Sequence, residues 1–249
     1  MSAGLFDLRA LDLRRQRAER LGPELFLHRR VLAEILERLA PVRREFGTAL
    51  VVGWPAAVWR AQLDGRFASV TSVDSLGALA QQAPGSCDLC IVIGELDTAE
   101  ELPLSLAMLR HALGRNGLLV GAISGGNTLP QLRTAMRAAD ERMGIAAPHV
   151  HPRIEPTALA ALLSAAGFAD PVVDLDPVRV SYRSLKGLVA DLRRMAATNV
   201  MRARPRRPLS RAAFEAARNA FADSSHEGRT TEIFELLHFA AWTPSDHQG

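Results

Sequence analysis

The chain has 249 residues, 48% of them hydrophobic and 23% charged, with a formal net charge of +3; that is enough to bury one α/β core with an appendage. No apolar run approaches the roughly 20 residues that cross a bilayer, and residues 5–20 alternate charged and apolar side chains with no leader pattern, so a cytoplasmic protein without a membrane span is expected. The excess of Arg is narrow and Lys186 is the only lysine, which argues against a nucleic-acid partner.

In chain order, Leu5–Gly22 reads as a charged amphipathic helix. Leu27, Val31, Leu32, Ile35, Leu36 and Leu39 recur at helical spacing through Glu24–Leu39, which ends before Pro41. The short apolar run Ala49–Val52 is expected to be the first buried parallel strand. Val58–Leu63 follows as a helix, Phe67–Val73 as a second strand closed by Asp74, and Leu76–Gln82 as a short helix or turn. Leu89–Ile93 is predicted as a strand, Leu102–Leu113 as a helix, and Leu118–Ile123, opened by Gly117, as a strand. This alternation points to an α/β protein with a mostly parallel sheet.

In the second half, Leu129–Met143 is predicted helical, with Arg133, Arg137 and Asp140 on a polar face. His149–Pro156 reads as a loop, and Thr157–Ala166 as a helix ended by Gly167. Val172–Leu175 and Val178–Tyr182 read as two strands, and Leu185–Ala197 as a helix. The basic run from Arg202 to Arg207 lacks interleaved aromatics and reads as a solvated linker. Arg211–Phe221 is a further helix, and the period of Ile233–Ala241 does not choose between strand and helix. The expected division is a helical segment over 1–45 and an α/β domain over 46–249, helical from about residue 185.

Four places could carry chemistry. The run Leu50-Val51-Val52-Gly53-Trp54-Pro55-Ala56-Ala57 sits where a first strand turns into a helix, the position of nucleotide-binding loops. Only Gly53 is present; Pro55 and Ala57 stand where such a loop wants glycine, and Val51 where an acid would fix it. Gly125, Gly126, Asn127 and Thr128 could provide positive φ and cap the following helix, or line a substrate mouth. His149 and His151, with Glu155 nearby, offer two imidazoles and a carboxylate, but no distant further ligand is identifiable and no metal is expected. Tyr182, the only tyrosine, reads as a packing residue with a satisfied hydroxyl or as a substrate contact. Cys87 and Cys90 form a C-x-x-C within an apolar run; residues three apart on a strand face opposite ways, so core packing is expected rather than redox chemistry.

These pieces resemble the class I S-adenosylmethionine (SAM)-dependent methyltransferases. Asp74 resembles the acid that binds the cofactor ribose there, and Leu109–Ile123 with Gly117 resembles the family's helix–glycine–strand block. Gly125-Gly126-Asn127-Thr128-Leu129-Pro130-Gln131-Leu132-Arg133 is similar to a signature of one branch, shared by the methyltransferase-like, arginine-hydroxylase-type assembly factor of respiratory complex I and the carrier-protein methyltransferase of biotin synthesis. The likeness continues through 148–152, 166–174, 180–182, 191–195 and Asn199, and Leu5-Phe6-Asp7 with Arg14 and Arg15 is closer to the assembly factor.

The resemblance implies a doubly wound sheet with SAM held at Gly53 and Asp74, and a substrate or client at Gly125, Gly126, Asn127, Thr128, His149 and Tyr182. Three departures stand against a working cofactor site. The glycine loop carries Trp54-Pro55-Ala56-Ala57, the interval between Asp74 and Leu89 is too short for the family's helix, strand and acidic turn, and Gly94-Glu95-Leu96-Asp97-Thr98 replaces an aromatic-rich segment. The expected function is therefore binding or assembly of a protein client, such as a complex I subunit, by a protein with a degenerate SAM loop or with no cofactor. An active SAM-dependent methyltransferase is the alternative, and a protein arginine hydroxylase a weaker one.

Overall fold

A computed structural model describes residues 4–245. Its helices are α1 (Leu8–Leu21), α2 (Phe26–Leu39), α3 (Ala56–Leu63), α4 (Leu102–Ala112), α5 (Pro130–Met143), α6 (Pro156–Ala165), α7 (Leu185–Arg194) and α8 (Arg211–Asp223). Its strands are β1 (Thr48–Val52), β2 (Ser69–Val73), β3 (Cys87–Ile93), β4 (Leu113–Ser124), β5 (Ala169–Tyr182), β6 (Ser225–His226) and β7 (Arg229–Trp242). The chain forms two compact units, each discontinuous in sequence.

Among the described residues the larger unit comprises 26–125, 154–176 and 236–245. Its sheet runs β2-β1-β3-β4-β7-β5, using the first part of β5 and the last part of β7. β1 pairs in parallel with β2 and β3, and β3 with β4; β7 returns antiparallel to β4, from Leu118 opposite Trp242 to Ser124 opposite Leu236. Central parallel strands are covered on both faces, so their sequences are unbroken apolar runs. Leu50, Val52, Val92, Leu106, Leu109, Leu119 and Leu237 accordingly meet in one core.

Between β2 and β3 the chain makes only a 3-10 helix over Leu76–Gln81, so the shortened middle leaves β2 at a sheet edge. β5, at the other edge, is one strand rather than the two expected: an edge strand tolerates Pro171 and Pro177 because its outer N–H groups need no ladder partner. Cys87 and Cys90 do not face opposite ways as the strand period implies. A register shift between Cys87 and Leu89 brings both thiols into the same core, where they are free and buried. The expectation of core packing holds.

Among the described residues the smaller unit comprises 4–25, 126–153 and 177–235. Asp7 caps α1 by accepting the Ala10 N–H at 3.0 Å, and α1 buries Ala10, Leu11 and Ala18. Phe6, Ala10 and Leu11 pack with Val200 and Met201, and a bridge between Phe6 and Met201 ties the two segments. α7 ends at Arg194 rather than at residue 197, with Ala196 at φ 57. Asp140 leaves the polar face expected of α5 and is 6% exposed. The undecided run at 233–241 lies within β7; Phe234, Leu236, Leu237 and Phe239 are all buried, so neither strand alternation nor a helical stripe was available to read.

Candidate functional site

In the larger unit, β1 delivers Gly53 to the loop before α3, and the end of β2 delivers Asp74 beside it. Gly53 is pressed against β3: a Cβ there would lie 2.6 Å from the Ile93 carbonyl oxygen and 3.1 Å from Ile93 Cβ. The loop's backbone donors are accounted for one by one. Gly53 N–H donates to the Val73 carbonyl at 3.0 Å, and Trp54 N–H to the Glu95 carboxylate at 3.3 Å. Pro55 has no N–H, and Ala56 N–H donates to Asp74 Oδ1 at 2.7 Å.

Glu95 was not singled out by the sequence, yet it is 5% exposed and takes over the loop-fixing task for which Val51 is unsuited. Trp54 is buried at 6% exposure. Asp97 accepts both the N–H and the hydroxyl of Ser124, at 2.8 and 2.7 Å, so the segment replacing the family's aromatic one anchors β4.

Gly125 makes a parallel bridge with Ile154 in the larger unit. The rest of that motif belongs to the smaller unit and is laced onto β7. Asn127 N–H donates to the Glu235 carboxylate at 3.2 Å, Thr128 Oγ1 donates to the Glu235 carbonyl and accepts its N–H, and Leu129 N–H donates to the Ile233 carbonyl. The capping expectation is corrected. The residue before α5 is Leu129, itself at φ 60, and no side chain on it caps the helix. The donors of the first turn, Gln131 and Leu132 N–H, instead go to the buried Glu232 carboxylate at 3.2 and 2.9 Å. An acid that lends its charge to a helix N-terminus needs no place in the helix sequence. Burial pushes the Glu232 carboxyl above its ordinary value, and these N–H donors oppose the rise.

His149 and His151 have separate partners. His149 Nε2 lies 2.8 Å from Asp140 Oδ1, while Asp140 Oδ2 accepts the Ala147 N–H at 3.0 Å. His151 Nε2 accepts the Val200 N–H at 3.0 Å and its ring meets Phe6 edge-on. No group of three metal-ligating side chains is gathered among the described residues. Tyr182 is buried, and burial and the neighbouring Asp191 carboxylate push its phenol well above the ordinary value.

Two cavities open in this unit. One of about 120 Å3 has walls that include Leu132, Met136, Leu192 and Thr198, and a second of about 570 Å3 is bordered by Arg133, Arg137 and Pro148. His149 and Val150 line both.

No family model matches the chain. It is 27% identical over 248 residues to a mouse (Mus musculus) protein named arginine-hydroxylase NDUFAF5, mitochondrial, covering 90% of this chain and 72% of the relative. It is 27% identical over 145 residues to the malonyl-[acyl-carrier protein] O-methyltransferase of Gallionella capsiferriformans, covering 58% of this chain and 48% of the relative. Against several of these curated relatives, including the zebrafish (Danio rerio) NDUFAF5, the chain spans about half of their length.

Among solved structures it aligns with the YcgJ protein of Bacillus subtilis at a TM-score of 0.53 and 10% identity, over 85% of this chain and 97% of that one. It aligns with a Bacillus halodurans protein assigned as a methyltransferase at a TM-score of 0.50 and 11% identity, over 85% and 98%. The chain is a homologue of the proteins named NDUFAF5 and malonyl-[acyl-carrier protein] O-methyltransferase, built on the class I SAM-dependent methyltransferase fold.

Proposed function

We propose that the chain is a methyltransferase-fold protein whose loop at Gly53 no longer holds SAM in the usual way, and that it acts in the cytoplasm by binding a protein client, such as a respiratory complex I subunit. The observation that carries this reading is the fate of the backbone donors over residues 53–56. A glycine loop grips a ligand by presenting free N–H groups to it, and each backbone N–H is one donor. Here three are spent on Val73, Glu95 and Asp74, and the fourth is missing at Pro55. Asp74 itself is turned to the loop. The residues present do not fit SAM as such a loop would grip it.

The client class follows from the resemblance to the assembly-factor branch and from relatives named NDUFAF5. The tagged full chain is expected to capture a respiratory-chain subunit from extracts of its own cells and to retain no labelled SAM on equilibrium dialysis. Capture of no such subunit together with SAM retention would replace this reading by the second one.

That second reading, an active SAM-dependent methyltransferase, is favoured by one observation. Gly53 and Asp74 sit at the carboxyl ends of adjacent parallel strands, where α/β proteins place their ligands. It requires that Asp74→Ala abolish SAM binding.

A further inference from the structure

We propose that the face of α1 carrying Leu13, Arg17, Arg20 and Leu21, with Arg14 beside it and Arg193 of α7, is a docking surface for an anionic lipid bilayer. The leucines enter the headgroup boundary and the guanidinium groups meet lipid phosphates. This goes beyond the client-binding reading above and does not depend on it.

The net charge of +3 conceals an uneven split. The described residues of the smaller unit hold 21 Arg and Lys against 12 Asp and Glu, and Asp140, Glu232 and Glu235 among those acids are buried. The exposed apolar side chains are as uneven. Of the eight large ones among the described residues, Leu5, Leu8, Leu13 and Leu21 lie within residues 5–21. Single exposed leucines are ordinary, but half of the set on one arginine-rich segment marks an interaction surface. In α1, Ala10, Leu11 and Ala18 fill the buried side. Leu13, Arg17, Arg20 and Leu21 stand at i, i+4, i+7 and i+8, one face of a helix with 3.6 residues per turn. The acids of this helix, Asp12 and Glu19, share the opposite side.

The carboxylates near this face are already engaged elsewhere. Asp7 accepts from Arg204 Nη2 at 2.8 Å, lies 3.6 Å from Arg206 Nη1 and caps α1. Glu24 lies 4.0 Å from Arg194. Neither is left for Arg14, Arg17 or Arg193, and Arg14 Nε is buried with no partner. Burial and the like charges of Arg204, Arg17 and Arg193 hold Arg14 below the ordinary guanidinium value. Like charges held together draw in an anion, and phosphate oxygens accept the two-pronged bond that a guanidinium offers. Arginine stems lie along apolar surface while their heads stay wet. A helix face that mixes leucine with arginine therefore fits the boundary between acyl chains and headgroups. Nucleic-acid bases need rings to stack on, and Phe6, the one ring in residues 5–21, is 3% exposed. A nucleic acid finds charge here and no platform.

The test is flotation of the purified full chain with vesicles of phosphatidylcholine alone and of phosphatidylcholine with phosphatidylglycerol in equal parts. The chain is expected to float with the anionic vesicles at about 0.1 M salt, several-fold less at about 0.5 M, and not with the neutral ones. Arg17→Glu combined with Arg193→Glu should cut the floating fraction by about tenfold or more. Arg211→Glu combined with Arg218→Glu makes the same change of charge on α8 and should cut it far less. Leu13→Gln combined with Leu21→Gln keeps the charge and should still cut it several-fold. All six positions are exposed, and circular dichroism with the unfolding midpoint checks that each variant is folded. No flotation, equal flotation with neutral vesicles, an equal loss in the α8 pair, or an unaffected leucine pair overturns the proposal. So does tighter binding of a labelled oligouridylate than of the anionic vesicles, lost with the Arg17 and Arg193 pair, which would give the face to nucleic acid.

Discussion

Gly53→Ala separates a glycine kept for packing from one kept for a cofactor. The added Cβ would sit 2.6 Å from the backbone oxygen of Ile93, one residue past the end of the β1–β3 pairing, whose last pair is Val52 with Val92. A side chain could rotate away, but this neighbour is backbone held between two strands, so β1 or β3 must shift by several tenths of an ångström. Overpacking of that kind costs about 1–3 kcal/mol, and the backbone obstacle puts Gly53→Ala in the upper part of that range. For a chain of this size each kcal/mol lowers Tm by roughly 2–4 °C, giving a fall of roughly 5–10 °C. Gly77→Ala is the control, since its Cβ would meet nothing closer than Ser75 Oγ at 3.8 Å, and its stability should stay within about 1 kcal/mol of the parent. Thermal and urea unfolding of both variants, with and without SAM, read the difference. Gly53→Ala with the parent's stability would refute the packing account of this loop.

Glu232→Gln should cost about 1–3 kcal/mol in urea unfolding, because an amide cannot accept from both Gln131 and Leu132 N–H; an unchanged midpoint would show that Glu232 does not hold α5. Asp176 is kept below its ordinary value of 3.8 chiefly by Arg30, which bonds it at 2.8 and 3.1 Å, with His238 adding to the effect. Its stabilisation is therefore complete above that value and is lost as pH falls through the lower folded one. Asp176→Asn should remove this part of the acid limb of a Tm-against-pH profile, and an identical limb would contradict the assignment. Burial pushes the Cys87 thiol up to about 12, and that of Cys90 well above its ordinary value. Both should resist a thiol reagent in the native protein at neutral pH and react once it is unfolded; prompt native labelling would place them outside the core.

The parallel strands were readable because burial on both faces writes an unbroken apolar run, as in Ala49–Val52 and Leu89–Ile93. The helix over 26–39 was readable because only one of its faces is buried. Long-range acids were not. Glu95, Glu232 and Glu235 act on backbone 41, 101 and 108 residues away, and nothing in local spacing records such a partner. The signal that existed was an acid inside or beside an apolar run, as Glu232 and Glu235 are at the edge of 233–241; a buried carboxylate there must find donors. His149 was expected at a substrate or client site, and its partner Asp140 was placed on a polar helix face. A helical wheel places a residue on a face but does not show that a returning loop covers it.

The central claim is that the loop at Gly53 no longer offers SAM a grip. Calorimetric titration of the purified full chain with SAM and with S-adenosylhomocysteine tests it most directly. The account predicts no binding of either at millimolar ligand, with the same absence in Asp74→Ala. Micromolar binding that Asp74→Ala abolishes would contradict it and establish a working cofactor site.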